Sequence, residues 1–374
     1  MHQPPPKHSS YNPAANAKNL MSHVLEPPSY GWMDGESRLI VPGAGQIGKE
    51  FLFRLNIFRD KKNWLSFFSW LKVLILLPCL FLFFFRYFNV YILAIAFVYS
   101  MVIMGTHGTI WYHRYCTHGA FTFTNRFWRF VTKNLTISMI PEEIYVISHH
   151  VHHAMPDKPG DPYNASAGFL YCFLADVNHQ PVARDLTEEQ YDSVVKLMDH
   201  TGVLPNSYAQ YKKWGSIARP GLSLGLWLLN WSFWGTLFYF AGGPALVLAL
   251  FGAAGFWAIG VRTFNYEGHG KGKDKRRQGT DFNQKDFSIN QVWPGLVAGE
   301  WHNNHHLFPS SARSGFLYYQ LDLAWCYIRL LSYIGAVDSY RDSKRLFLAR
   351  YRHPYLEERR TAHGIKSINK KHLL

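Results

Sequence analysis

The residues best suited to chemistry lie in Glu300-Trp301-His302-Asn303-Asn304-His305-His306, where imidazoles at i, i+3 and i+4 share one sector of an α-helix and can converge on bound metal. The same H-x-x-H-H spacing recurs at His149, His152 and His153. His113 and His118 lie just before the earlier triplet, and Asn265 with His269 lies between the two. Together these are nine histidines and one asparagine, too many nitrogen donors for one tetrahedral zinc and enough for two metals with four or five ligands each. A dinuclear centre is the economical reading.

Such a set needs elements that bring its parts together, and the apolar runs supply them. From Trp64 to Phe85 the chain is almost wholly apolar, long enough at about 1.5 Å per residue to cross a hydrocarbon layer of about 30 Å. After Arg86-Tyr87-Phe88-Asn89 a second run, Val90 to about Ile110, returns and ends three residues before His113. Leu222 to Phe240, a turn at Ala241-Gly242-Gly243, and Pro244 to Val261 repeat the plan, ending four residues before Asn265. The predicted fold class is therefore an all-α integral membrane protein with four transmembrane helices in two hairpins and a cytoplasmic helical cap holding a di-metal centre. Basic residues flank the outer ends of the hairpins (Arg54, Arg59, Lys61, Lys62; Lys212, Lys213, Arg219; Lys271 to Arg277), and the opposite links carry only Arg86. The positive-inside rule puts both termini and every histidine motif on the cytoplasmic side of a multi-pass protein.

Composition narrows the partners. Of 374 residues 17% are aromatic, and the mean hydropathy of -0.13 averages very apolar runs with polar ends. The net charge of +14 favours an anionic partner, but the Lys and Arg residues flank apolar runs instead of forming a recognition helix, so no nucleic-acid role is expected. Cys79, Cys116, Cys172 and Cys326 are scattered without a C-x-x-C pair, which fits a reduced environment. Residues 1 to 45, with Pro4-Pro5-Pro6 and Pro27-Pro28, have no signal-peptide pattern and read as a mobile cytoplasmic start. Arg126, Arg129 and Lys133 share one helical face, which suits an interfacial helix or one packed under the cap. Phe316 to Ile334 approaches spanning length but is interrupted by Asp322 and Arg329, which favours an interfacial helix over a fifth span.

His113-Arg114-Tyr115-Cys116-Thr117-His118, His149-His150-Val151-His152-His153, Asn265-Tyr266-Glu267-Gly268-His269 and His302-Asn303-Asn304-His305-His306 resemble the histidine boxes of the membrane fatty acyl desaturases, especially the stearoyl-CoA type. The likeness covers roughly residues 60 to 315 and is specific as a set. It implies an oxidoreductase with two irons (Fe2+) that uses O2 and two external electrons to remove two hydrogens from an unactivated acyl chain in fatty acid biosynthesis. By resemblance, one iron takes His113, His153, His269, His302 and His306; the other takes His118, His149, His152 and His305, with Asn265 near it through water. Residues 1–60 then form a partly disordered cytoplasmic N-terminal segment. Residues 61–315 form the desaturase-like membrane domain, with its cap at 113–220 and 262–315, and residues 316–374 form an interfacial helix and basic tail.

A lone histidine is ordinarily structural or solvated, and His107, His179, His200 and His353 are read so. His150 lies inside a box but turns away from the sector of its neighbours. Asp157, Asp161, Pro162 and Asn164 follow the second triplet and suit either outer-sphere orientation of ligands or capping of a turn, and Glu300 carries a similar choice. Gly252 to Gly255 suit close helix packing or a tunnel wall, the former being the commoner use. Ile147-Ser148 and His150 stand where animal acyl-CoA enzymes carry basic and acidic residues, so a CoA handle is less supported than other acyl carriers: a lipid, a carrier protein or a free acid. The same metals could hydroxylate, or convert a free fatty acid to a terminal alkene by oxidative decarboxylation. A membrane metal carrier is a distant alternative, because the ligands cluster at one membrane edge and not along a transmembrane path. No haem, ferredoxin or nucleotide motif is fused to the boxes, so electrons must come from a separate donor of cytochrome b5 or ferredoxin type, for which a basic face is suited.

Overall fold

The computed structural model describes residues 20–178, 182–269, 300–354, 356–357 and 360–361. It is mostly helical, and three of its helices are long and apolar enough to cross a membrane. After α1 (Ala44–Leu55), α2 (Trp64–Arg86) carries the first apolar run. Asn89 caps the next helix by accepting from the Tyr91 and Ile92 amides, and α3 then runs unbroken over Val90–Thr117. Here expectation and structure part: the helix does not stop near Ile110, so His113 sits on the spanning helix itself. Two stretches of α3, Val98–Met104 and Thr109–Thr117, are wound as π-helix.

The apolar run Pro220–Gly260, α4, is broken where Gly242 and Gly243 leave helical geometry, Gly243 at φ +65°. In a straight helix Trp231 and Phe251 would stand about 30 Å apart. Their rings instead lie 5.8 Å apart, so the chain doubles back at the glycines. The returning half packs on α2 so closely that a Cβ on Gly252 would lie 2.5 Å from the Leu80 nitrogen. That contact supports the helix-packing reading of the small residues. Val73, Leu76, Tyr99, Phe238, Ala254 and Trp257 share the core of these helices. Their outer faces leave Phe81, Phe85, Tyr91, Leu228, Leu229 and Phe240 exposed.

The cap packs on the end of α3. β1 (Phe121–Phe123) pairs antiparallel with β2 (Val337–Tyr340), and between them in sequence lie α5 (Arg126–Lys133), α6 (Glu142–Ala154), α7 (Phe264–Gly268), α8 (His302–Leu307) and α9 (Leu323–Tyr333). Trp111, Tyr112 and Tyr115 of α3 share one core with Val146, Ile147 and Val151 of α6. The interfacial-or-packed helix expected around residue 130 is only the eight residues of α5, and it leaves Phe127 and Phe130 exposed. Of the run from Phe316 to Ile334, the eleven residues of α9 are helical, too few to span, with Asp322 as N-cap accepting from the Trp325 amide.

From residue 20 onward the N-terminal segment is not mobile filler. Val24 and Leu25 are buried in the cap core, and Trp32 and Leu39 pack against Ile47, Tyr171 and Cys172. Arg54, 2% exposed, anchors the strap through Glu50, Glu26 and the Pro27 carbonyl. Proline richness set the chain's path there without preventing its burial.

Candidate metal centre

All nine predicted histidines converge, in two groups. His113, His118, His149, His153 and His305 form one; His152, His269, His302 and His306 form the other, with one ligand atom per residue and all atoms of a group within 4.8 Å of one another. Asn265 sits half-buried on α7, one turn before His269. His150 belongs to neither group.

The division differs from the one the resemblance implied: His113 and His153 join the group of His118, His149 and His305, and His152 joins His269, His302 and His306. Helix geometry explains the exchange. Residues four apart on an α-helix are offset by about 40°, whereas the residue three along lies about 60° to the other side. Each triplet therefore gives its i, i+4 pair to one group and its i+3 ring to the other: His149 and His153 meet His305, while His302 and His306 meet His152.

His113 and His118 reach one group for another reason. On an α-helix, residues five apart point about 140° from each other. The π-wound end of α3 shrinks that angle: the His118 amide donates to the His113 carbonyl at 3.2 Å, and the rings lie 5.0 Å apart. π segments inside α-helices are frequent at functional sites.

Carboxylates set the ring orientations. His113 Nδ1 donates to Glu300 Oε2 at 3.1 Å, and His152 Nδ1 to Asp161 at 2.9 Å. His269 Nδ1 lies 3.1 Å from Asp157 Oδ1. Asp161 also accepts the Asp157 and Tyr163 amides at 2.7 and 2.8 Å, so it both orients a ring and caps the turn, meeting both readings of that stretch. Arg114, 1% exposed, ties Glu300 to Asp322 at 3.2 and 2.9 Å and donates to the Ala312 carbonyl at 2.6 Å. Burial would raise the Glu300 carboxyl, but Arg114 and His113 outweigh it and bring it down to about 2. Sequence reasoning gave Arg114 no role and saw Asp322 only as an interruption; the one available signal was a pair of charges inside otherwise apolar or ligand-rich stretches.

The donor set fits metal. A neutral imidazole whose Nδ1–H is committed to a carboxylate, the arrangement at His113 and His152, presents a lone pair at Nε2. His305 Nε2 lies 3.0 Å from both His113 Nε2 and His153 Nε2, and one ring proton can satisfy only one such contact. His302 Nε2 similarly lies 3.0 Å from His269 Nε2 and 3.1 Å from His306 Nε2. His118 Nε2 is shut from solvent with no hydrogen-bond partner among the described residues. Burial, then mutual repulsion, holds His118, His149, His153, His302, His305 and His306 well below the usual imidazole range, keeping them neutral. Close, neutral, inward-facing nitrogens are what a pair of transition-metal cations requires.

The other histidines are structural or solvated, as read. His107 bridges the Thr132 carbonyl and Thr136 hydroxyl, His200 meets the Tyr115 carbonyl at 2.9 Å, and His353 is exposed. His179 and the basic run Lys271 to Arg277 lie outside the described residues.

The site's residues fall within the region, 89–334, that matches the fatty acid desaturase family model, more than half the chain. The chain is 27% identical to a probable chloroplastic lipid desaturase of Arabidopsis thaliana, over 64% of this chain and 61% of the relative. It is 27% identical to an icosanoyl-CoA 5-desaturase of Limnanthes douglasii, over 64% of each. It is 28% identical to an sn-1 stearoyl-lipid 9-desaturase of Anabaena variabilis, over 61% of this chain and 75% of the relative. The match thus spans less than two thirds of the length of the first two relatives. With the family model matched over 89–334 and two sets of imidazoles converging within that region, this chain belongs to the fatty acid desaturase family.

Proposed function

We propose that the protein is a multi-pass membrane enzyme that desaturates a fatty acyl chain at a di-iron centre, using O2 and electrons from a separate cytochrome b5 or ferredoxin-type donor. The observation that carries the reading is the pair of buried imidazole groups, each with ligand atoms within 4.8 Å of one another. His113, His118, His149, His153 and His305 would hold one iron; His152, His269, His302 and His306 would hold the other, with Asn265 adjacent. When bound, two irons supply the oxidising power to take two hydrogens from adjacent unactivated carbons, with O2 as acceptor. Glu300 and Asp161 fix the orientation of the His113 and His152 rings and keep their lone pairs turned inward. The buried setting of the rings limits water around the reacting carbons.

In this reading α2, α3 and the two halves of α4 each cross the bilayer, which their exposed apolar faces favour. Both termini and the cap lie on the cytoplasmic side, where the flanking basic residues concentrate. The acyl carrier is proposed to be a lipid or CoA, the classes named for the relatives above.

The test is lipid and volatile mass spectrometry on cells expressing the full chain with an active donor, alongside His302→Ala and iron analysis. A new internal double bond, lost together with iron in the variant, is expected. An alcohol or a chain-shortened alkene would replace desaturation by its sister reactions. An unchanged profile would favour a metal carrier.

A further inference from the structure

A second site lies away from the imidazoles. A cleft of about 700 Å³ opens between α5 and the first turns of α4, its floor completed by Leu65 of α2 and its end by Glu142 and Glu143 of α6. One wall is apolar and outward-facing: Phe130, Leu226, Leu229 and Phe233 are 64%, 43%, 67% and 60% exposed. Arg126, Arg129 and Arg219 line the same cleft.

The charge there is not cancelled. Lys133 pairs with Glu142 at 2.8 Å. Glu143 is 1% exposed, its oxygens taken by the Ile217 and Ala218 amides. Arg129 donates to the His200 carbonyl and Arg219 to the Pro205 carbonyl, acceptors that satisfy hydrogen bonds without neutralising a guanidinium. Arg126 is exposed. Three arginines with no carboxylate partner among the described residues, above an apolar trough continuous with a spanning helix, match an anionic head group above acyl chains.

We propose that this cleft binds one anionic phospholipid, phosphate toward Arg126, Arg129 and Arg219 and chains along Leu226, Leu229 and Phe233. The inference rests on the membrane orientation proposed above but not on the reaction, so its test needs no turnover.

Full-length protein is equilibrated with mixed micelles of phosphatidylcholine and phosphatidylglycerol, stripped of loose lipid, and the lipid retained is counted by native mass spectrometry. About one phosphatidylglycerol per chain is expected, with retention falling roughly tenfold or more in the Arg126→Gln/Arg219→Gln double variant. Leu226→Trp, which fills the trough and keeps every charge, should lose it too. Bound iron, unchanged in both variants, reports that they are folded. Equal retention of the two lipids by the unaltered protein overturns the proposal, as does retention that survives Leu226→Trp, which would mark a surface charge effect only. If the double variant fails to fold, the Leu226→Trp result alone decides.

Discussion

The two imidazole groups draw on the same pair of triplets but are secured differently. The carboxylates of the second group come from a single turn: Asp161 lies nine residues beyond His152, and Asp157 on the same turn reaches the distant His269. The first group depends on contacts across the chain, with Glu300 joined to His113 over 187 positions and Arg114 to Asp322 over 208. One half of the centre is thus shaped by a turn next to its helix, the other by closure of the cap over α3. The interleaved triplets make each half incomplete without the other.

The sharpest way to break this comparison is His305→Ala, which removes the ring contacting both His113 and His153. Activity should fall by more than about a hundredfold and iron per chain by about half or more, read by product analysis and elemental mass spectrometry. Equal iron content in variant and parent would dissolve the first group. Arg114→Met comes next, because it leaves the Glu300 and Asp322 carboxylates buried without their cation. Loss of one partner of such a network costs about 3–5 kcal/mol, and the melting temperature should drop with it. Asp161→Asn should weaken iron binding at the second group by roughly 10–100-fold while changing the melting temperature less than Arg114→Met does. Were the two variants to melt alike, the local-versus-global contrast would be lost. Asp157→Asn is the mildest: this carboxylate is 30% exposed, and an affinity loss below about tenfold is expected from a metal titration.

That the triplets could face a common point was legible in the sequence, because H-x-x-H-H spacing is itself helix geometry, and in the structure the nine histidines converge. The split within each triplet follows from helix phase, but how the two triplets interleave, and which group takes His113 and His118, depends on how two helices face each other and on a π winding that no residue pattern announced. The apolar runs and the glycine turn were readable for the same local reason. Arg114 and Asp322 were not, because a buried ion network made over 208 positions leaves no periodic trace. Val24 and Leu25 were obscured by surrounding prolines, although the strap they belong to is packed into the cap.

That α3 both spans and carries His113 limits how the protein can vary. A helix that spans and then ligates must deliver His113 at the right height and also at the right phase. Deleting one residue from the α-wound stretch Val90–Phe97 would lower His113 by only about 1.5 Å but turn it by about 100°. Length along this helix can be made up by tilt in the bilayer, whereas phase cannot, so the spacing between the membrane and the first imidazole tolerates substitution far better than it tolerates deletion.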